Sequence, residues 1–141
     1  MRVSLPILAV ICFMAQPAQA KLSALGHWEF DVARKQVYID AVRANQTDTN
    51  SMAEIAAQMG MARVQNTLYE FGADISGPYL AIFDKTSNKR EVFYITVKRQ
   101  GGVIHITDRK NGRKFRLTPV DENHINLHDD DKKQVIPLKR I

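Results

Sequence analysis

The stretch Glu91–Leu127, EVFYITVKRQGGVIHITDRKNGRKFRLTPVDENHINL, decides how the rest of the chain is read. Apolar and polar residues alternate along it, the period of strands with one buried face, and turn residues interrupt it three times. Asn111-Gly112 is the clearest turn, since both residues tolerate the positive φ that a two-residue type I′ hairpin requires. With those two residues as the loop, Ile106 faces Leu117, Ile104 faces Pro119 and Thr107 faces Arg116. Gly101-Gly102 makes the preceding turn and sets Val97 opposite Ile106, with Ile95 and Phe93 continuing the apolar face. A loop of Asp121-Glu122-Asn123 pairs Leu117 with Leu127 and Pro119 with Ile125. All three turns place the apolar residues on one surface, and a slip of one residue at any of them would turn that set toward water.

Working outward, the segments on both sides extend the same pattern. Thr67–Ala73 and Tyr79–Asp84 read as strands separated by Asp74-Ile75-Ser76-Gly77-Pro78, and Lys85–Arg90 turns the chain into the central stretch. After Leu127 a charged turn over His128–Lys133 leads to a last strand, Gln134–Arg140. Near the start, Leu25–Asp31 is a short strand with Trp28 and Phe30 on one face and His27 and Glu29 on the other. Helix is expected only after it. Val37, Tyr38, Ala41 and Val42 form a stripe within Val32–Ala44, and Asn45–Asn50 reads as a turn. Ser51 and Glu54 then make a capping box for a helix over Met52–Met59, with Gly60 at its C′ position. The fold class expected is mainly β: an antiparallel meander of about eight strands in a closed or nearly closed barrel, with helical segments between the first and second strands.

The first twenty residues stand apart from this pattern. A basic start at Met1-Arg2, an apolar run over Leu5–Ala15 and Ala18-Gln19-Ala20 form a signal peptide with cleavage after Ala20. That run is too short to span a membrane as a helix, which takes about 20 residues. The mature domain is therefore expected to be Lys21–Ile141, periplasmic or secreted. Cys12 is the chain's one cysteine and leaves with the signal, so thiol chemistry and a cysteine zinc site are excluded from the mature part.

Charge is unevenly spread: residues 21–84 carry a net −3 and residues 85–141 a net +7. In an exported protein this favours an anionic envelope component or an acidic protein as partner over nucleic acid. The hairpin tip Arg109, Lys110, Arg113 and Lys114 concentrates the excess. In the register above Lys110 faces Arg113 and Arg109 faces Lys114, a like-charge arrangement that weakens a hairpin by some tenths of a kcal/mol. A tip that accepts that cost is a candidate partner-binding surface; the plainer reading is a hairpin kept soluble by its charges.

Gly26-x-Trp28, followed by the meander, resembles the opening of the lipocalin-like (calycin) group, whose eight antiparallel strands close around an apolar cup. Trp28-x-x-Asp31, the Met52–Met61 helix and the aromatic strand Leu68-Tyr69-Glu70-Phe71 are similar to small secreted bacterial domains of that shape. The resemblance departs at several points: the mature chain has no cysteine, helix is inserted between the first two strands, and Thr107-Asp108-Arg109 only partly matches the group's Thr-Asp-Tyr. What it implies is a barrel and a binding role, and it carries no ligand with it.

For catalysis the chain offers little. Ser23, Ser51, Ser76 and Ser87 fall in a tail, a helix cap and turns, and no Gly-x-Ser-x-Gly elbow, phosphate loop or His-Glu-x-x-His occurs. No catalytic residue, cofactor or metal site is expected. His124 and His128 lie four apart on one strand, about 13 Å at roughly 3.3 Å per residue, too far for one ion. They and His105 read as solvated polar-face histidines. Trp28, Met52, Met59, Phe93 and Phe115, with Ile95 beside them on the inward face, are the candidate lining for an apolar or amphipathic ligand, the flexible thioethers adapting to its shape. A dry core made of the same residues is the alternative, because eight strands leave room for side chains or for one small ligand.

Overall fold

The computed structural model describes residues 24–45 and 51–141, with backbone alone for residues 51–53. The signal-peptide expectation, the turn after Asn45 and the Ser51 side of the capping box lie outside the described residues. Eight strands run in order: β1 (Gly26–Phe30), β2 (Thr67–Asp74), β3 (Gly77–Asp84), β4 (Lys89–Gln100), β5 (Val103–Asp108), β6 (Lys114–Asp121), β7 (His124–Asp129) and β8 (Gln134–Arg140). Each pairs antiparallel with the next, and β1 also pairs with β8, so the sheet closes on itself as an up-and-down barrel. Closure leaves no free edge strand for another chain to extend.

Two of the three expected registers are found as read. Val97 pairs with Ile106 across Gly101-Gly102, and Leu117 with Leu127 and Pro119 with Ile125 across the β6–β7 turn. The β5–β6 hairpin is a correction. Ile106 pairs with Phe115, Ile104 with Leu117 and Thr107 with Lys114, a shift of two residues. The loop is Arg109–Gly112, closed by Asp108 N–H donating to Arg113 O at 2.8 Å and by Gly112 N–H donating to Asp108 O at 2.9 Å. Asp108 and Asn111 carboxyl and amide oxygens each accept a backbone N–H two residues on, both at 2.8 Å, and so satisfy the wider turn. Gly112 still supplies a positive φ, +76°. A shift of two preserves the alternation, so the same side chains face inward.

The inward face forms the core: Trp28, Phe30, Tyr69, Phe71, Leu80, Ile95, Ile104, Ile106, Leu117, Ile125, Leu127, Ile136 and Leu138 are all buried. Between β1 and β2 lie a 3-10 turn, Val32–Arg34, and two helices, α1 (Lys35–Ala44) and α2 (Ser51–Gln65). The second helix does not stop at Gly60, as its glycine suggests, but runs on to Gln65. Gly60 serves close packing instead: a Cβ there would sit 2.0 Å from the Tyr38 hydroxyl. Tyr38, buried on α1, packs edge-on to Phe30 with ring centroids 6.1 Å apart. An Arg43–Glu54 ion pair ties the helices together on their exposed side.

The same connectivity gives the barrel two unlike rims. The helices, the β3–β4, β5–β6 and β7–β8 connections share one. The β2–β3, β4–β5 and β6–β7 turns and both ends of the described barrel chain, at β1 and β8, share the other.

Candidate functional site

β4 determines what happens at the second rim. Its first half pairs with β3 as far as Tyr94, and its second half pairs with β5 from Ile95 onward. Inward-facing residues along it are Ile95, Val97 and Arg99, while Thr96, Lys98 and Gln100 are exposed. Ile95, Val97 and Arg99 form one wall of a cavity of about 270 Å³. Ile104, Ile106 and Leu117, cross-strand neighbours on β5 and β6, continue that wall, and Phe71, Pro78 and Leu25 face it. Its mouth is marked by the exposed members of the lining, Leu25, Pro78 and Val97. Arg99 is the one charged residue in the lining. Its Nε and Nη2 are buried and have no hydrogen-bond partner among the described residues.

The helix-covered rim holds a smaller cavity of about 210 Å³, and its chemistry differs. Tyr38, Tyr69, Val64 and Phe115 supply apolar surface, but Arg113 and Asp129 bring an ion pair at 2.5 Å into the lining. The Arg113 guanidinium also lies 5.0 Å above the Phe115 ring and 3.5 Å from Asp131. Asp129 in turn accepts the Asp131 and Lys132 backbone N–H groups of the β7–β8 turn. Burial, with Tyr38 and Asp129 nearby, pushes the Tyr69 hydroxyl far above the ordinary tyrosine range, so it stays neutral.

Five of the side chains expected to line a ligand site are not gathered in one place. Trp28 is wholly buried. Its indole N–H donates to Ala24 O at 3.0 Å, and the Arg140 guanidinium lies 4.4 Å above its ring. Arg140 further donates to Leu25 O and Glu122 O, pinning the start of β1 to the end of β8. Phe115 lines the smaller cavity, beneath Arg113. Phe93 packs half-buried against the core and faces an outer groove beside Arg109. Met59 is 66 % exposed and lines neither cavity. Met52 lies on α2, its side chain outside the described residues.

Asp31, from the same motif as Trp28, has a structural task. It caps the 3-10 turn through Ala33 N–H at 3.2 Å and binds Arg34 Nε at 2.7 Å. Arg34 then donates to Asn126 Oδ1, Ile125 O and Leu138 O, locking the turn across β7 and β8.

At the basic hairpin the changed register removes the expected like-charge pairs: Arg109 and Lys110 are loop residues, and Lys114 faces Thr107. Arg109 donates to Ser76 O at 2.9 Å and lies 5.9 Å over the Tyr94 ring, while Tyr94 donates to Asp74 at 2.8 Å. This clasp joins the β5–β6 tip to the β2–β3 turn across β4. Arg113 is held by Asp129. Lys110 and Lys114 are the exposed remainder.

The histidines are dispersed. His124 bonds Asp121 at 2.7 Å, His128 bonds the Thr118 hydroxyl at 2.9 Å, and His105 sits opposite Arg116. Burial, reinforced by Arg116, lowers the His128 pKa against a smaller opposing pull from Asp130. Among the described residues no three His, Asp or Glu side chains converge as metal ligands would. None of the described helices is long and apolar enough to cross a membrane.

Sequence reasoning chose large aromatics and methionines for the cavity, placed Ile95 in it correctly, and missed Arg99 and the other aliphatics. The signal was present: Phe93, Ile95, Val97 and Arg99 follow one period-two series, so Arg99 is a charge at an inward position. No family model matches the chain, and no curated protein or solved structure matches it either. An eight-stranded barrel hosts many unrelated roles, so the architecture does not assign the chain to the lipocalin-like group.

Proposed function

We propose that this protein is a non-enzymatic, exported binding module that holds one small apolar or amphipathic molecule inside its barrel. The single observation that supports this is the aliphatic cavity of about 270 Å³, which opens to solvent past Leu25, Pro78 and Val97. Pockets that take small molecules are concave and largely apolar, with few polar groups to orient the ligand. This one has that character. The lipocalin-like resemblance at Gly26-x-Trp28 points the same way, and the signal-like start supports work in the periplasm or outside the cell.

Burying an eight-carbon chain offers about 6 kcal/mol at roughly 0.8 kcal/mol per methylene, before association costs are subtracted. About 6 kcal/mol corresponds to roughly 40 μM, so with those costs binding in the high-micromolar to millimolar range is expected. The test is uptake of octanol, or displacement of an apolar fluorescent dye, by the purified protein and by Val97→Trp. Uptake that the indole at the mouth abolishes supports the reading. No uptake by the native protein, or uptake indifferent to Val97→Trp, refutes it.

The second expectation, docking of an acidic partner or anionic envelope component through the basic hairpin, keeps the net +7 of residues 85–141 behind it but loses one of its supports. The facing like charges are not in the β5–β6 register, and two of the four residues are held within the barrel's own contacts. Replacing Lys110 and Lys114 by Ser would expose any such role as a loss of salt-sensitive capture.

A further inference from the structure

The cavity raises a sharper question: why an arginine should stand in it. The alternation of β4 turns Arg99 inward beside Ile104, its register partner, with Val97 two residues before it on the same face. Every other residue of the lining is uncharged, and no Asp or Glu is among them. Two of its guanidinium nitrogens are shielded from solvent with nothing to donate to among the described residues. Arginine keeps its charge at any pH a folded protein meets, so the group cannot relieve the cost by losing a proton. Other half-buried cations of this barrel have a carboxylate partner: Arg34 has Asp31, and Arg113 has Asp129, although Arg113 Nε too lacks a hydrogen-bond partner among the described residues. An uncompensated cation is retained at a cost to the empty protein, and a cost of that kind falls at functional positions.

We infer that the cavity binds an amphipathic anion, its alkyl chain against the aliphatic wall and its acidic head on Arg99. This rests on the binding role proposed above and names the class of ligand. The guanidinium fork matches a carboxylate in a two-bond arrangement and accepts sulfate or phosphate oxygens as well. Placement near the mouth suits a head group that keeps one side in water while the chain lies inside. The volume limits the chain. At roughly 30 Å³ per water-sized group, about 270 Å³ takes about nine such groups, a medium chain rather than a long one. A second hydrogen-bonding group is not required: the walls supply affinity and Arg99 supplies the sign of charge.

Calorimetric titration of the purified protein with octanoate, octyl sulfate, octanol and octylamine tests this at low salt. The expected order is octanoate and octyl sulfate at least about tenfold tighter than octanol, with octylamine weakest. In Arg99→Met the ratio of octanoate to octanol affinity should collapse to near one, while Arg99→Lys keeps part of it. Octanoate binding no better than octanol in the native protein overturns the inference, as does an octanoate preference that survives Arg99→Met. Either result leaves the apolar site standing. If none of the four ligands binds, the binding role itself falls. Should Arg99→Met fail to fold, the native ranking decides, and octylamine equal to octanoate sinks the idea. A preference for octyl sulfate over octanoate supports an anion site and assigns it to a sulfate-like or phosphate-like head.

Discussion

Two arginines occupy inward positions in this barrel, one at each rim, and the fold treats them oppositely. Arg113, on the side covered by the helices, meets Asp129 at 2.5 Å, lies over Phe115 and sits close to Asp131. Arg99, on the side of the β4–β5 turn, meets aliphatic side chains and no carboxylate. The two rims share strands, period and core, so the difference is one of provision. Under the helices the cation that lines the cavity brings its counter-ion. At the other rim the lining is aliphatic and no counter-ion accompanies Arg99.

The strongest way to break this contrast is to make the helix-covered rim resemble the other one. Asp129→Ala strips Arg113 of its main partner and frees the Asp131 and Lys132 amides. Arg113 is 31 % exposed, so solvent offsets part of the loss, and about 2–4 kcal/mol of destabilisation is expected. Urea unfolding measures it, and a change below about 1 kcal/mol would show that the pair is decorative.

Next in size is Gly60→Ala. Helix propensity alone would favour alanine by about 1 kcal/mol. A methyl 2.0 Å from the Tyr38 hydroxyl must instead push the helices apart, and a net loss of about 2 kcal/mol is expected in the same assay. A stabilised variant would mean that the helix cover is loosely seated.

Arg99→Met has the opposite sign. Removing a shielded, unpartnered charge in favour of a packed thioether should stabilise the empty protein by about 1 kcal/mol, a rise in Tm of about 3–6 °C. Scanning calorimetry reads it, and a fall in Tm would mean that Arg99 holds the rim together. Together with Asp129→Ala it separates a cation kept for structure from one kept for something else.

The smallest expected effect is one of pH. Burial and Arg116 disfavour the protonated form of His128 in the folded state, so the unfolded chain binds the proton more readily. Stability is therefore complete above the unfolded value near 6.5 and declines as pH falls through it toward the lower folded value. His128→Gln, still able to bond Thr118, should flatten that decline in unfolding curves taken between about pH 5 and pH 7. An unchanged slope would locate the acid sensitivity elsewhere.

Much of the architecture was legible before any coordinates. The strands follow from alternation, and the Gly101-Gly102 turn sets its register correctly; the pairing of Leu117 with Leu127 is also as read, although Asp121 is not in the loop but ends β6 opposite His124, past a bulge after Pro119. Asn111-Gly112 misled for a physical reason: Asp108 and Asn111 side chains satisfy a longer loop as well as a two-residue turn satisfies itself. Gly60 misled because a glycine that ends a helix and a glycine that admits a neighbouring tyrosine look alike along the chain. The site was half legible. Ile95, Val97, Ile104, Ile106 and Leu117 were on the inward face as read, whereas Trp28 went into the packed core, Phe115 to the smaller cavity and Phe93 beside the outer groove.

By itself the sequence determined the class of object, an antiparallel barrel with an early helical insertion and an uneven charge, because periodicity and turn chemistry act between near neighbours. Which interior volumes are filled depends on side chains from strands far apart in the chain, so only the tertiary structure could place an aliphatic cavity with a lone arginine at one rim and a cavity bordered by a salt bridge at the other. The isolation of Arg99 belongs to that second kind of fact. Whether a charge has a partner is a question of distance in space, and no spacing along the chain contains the answer.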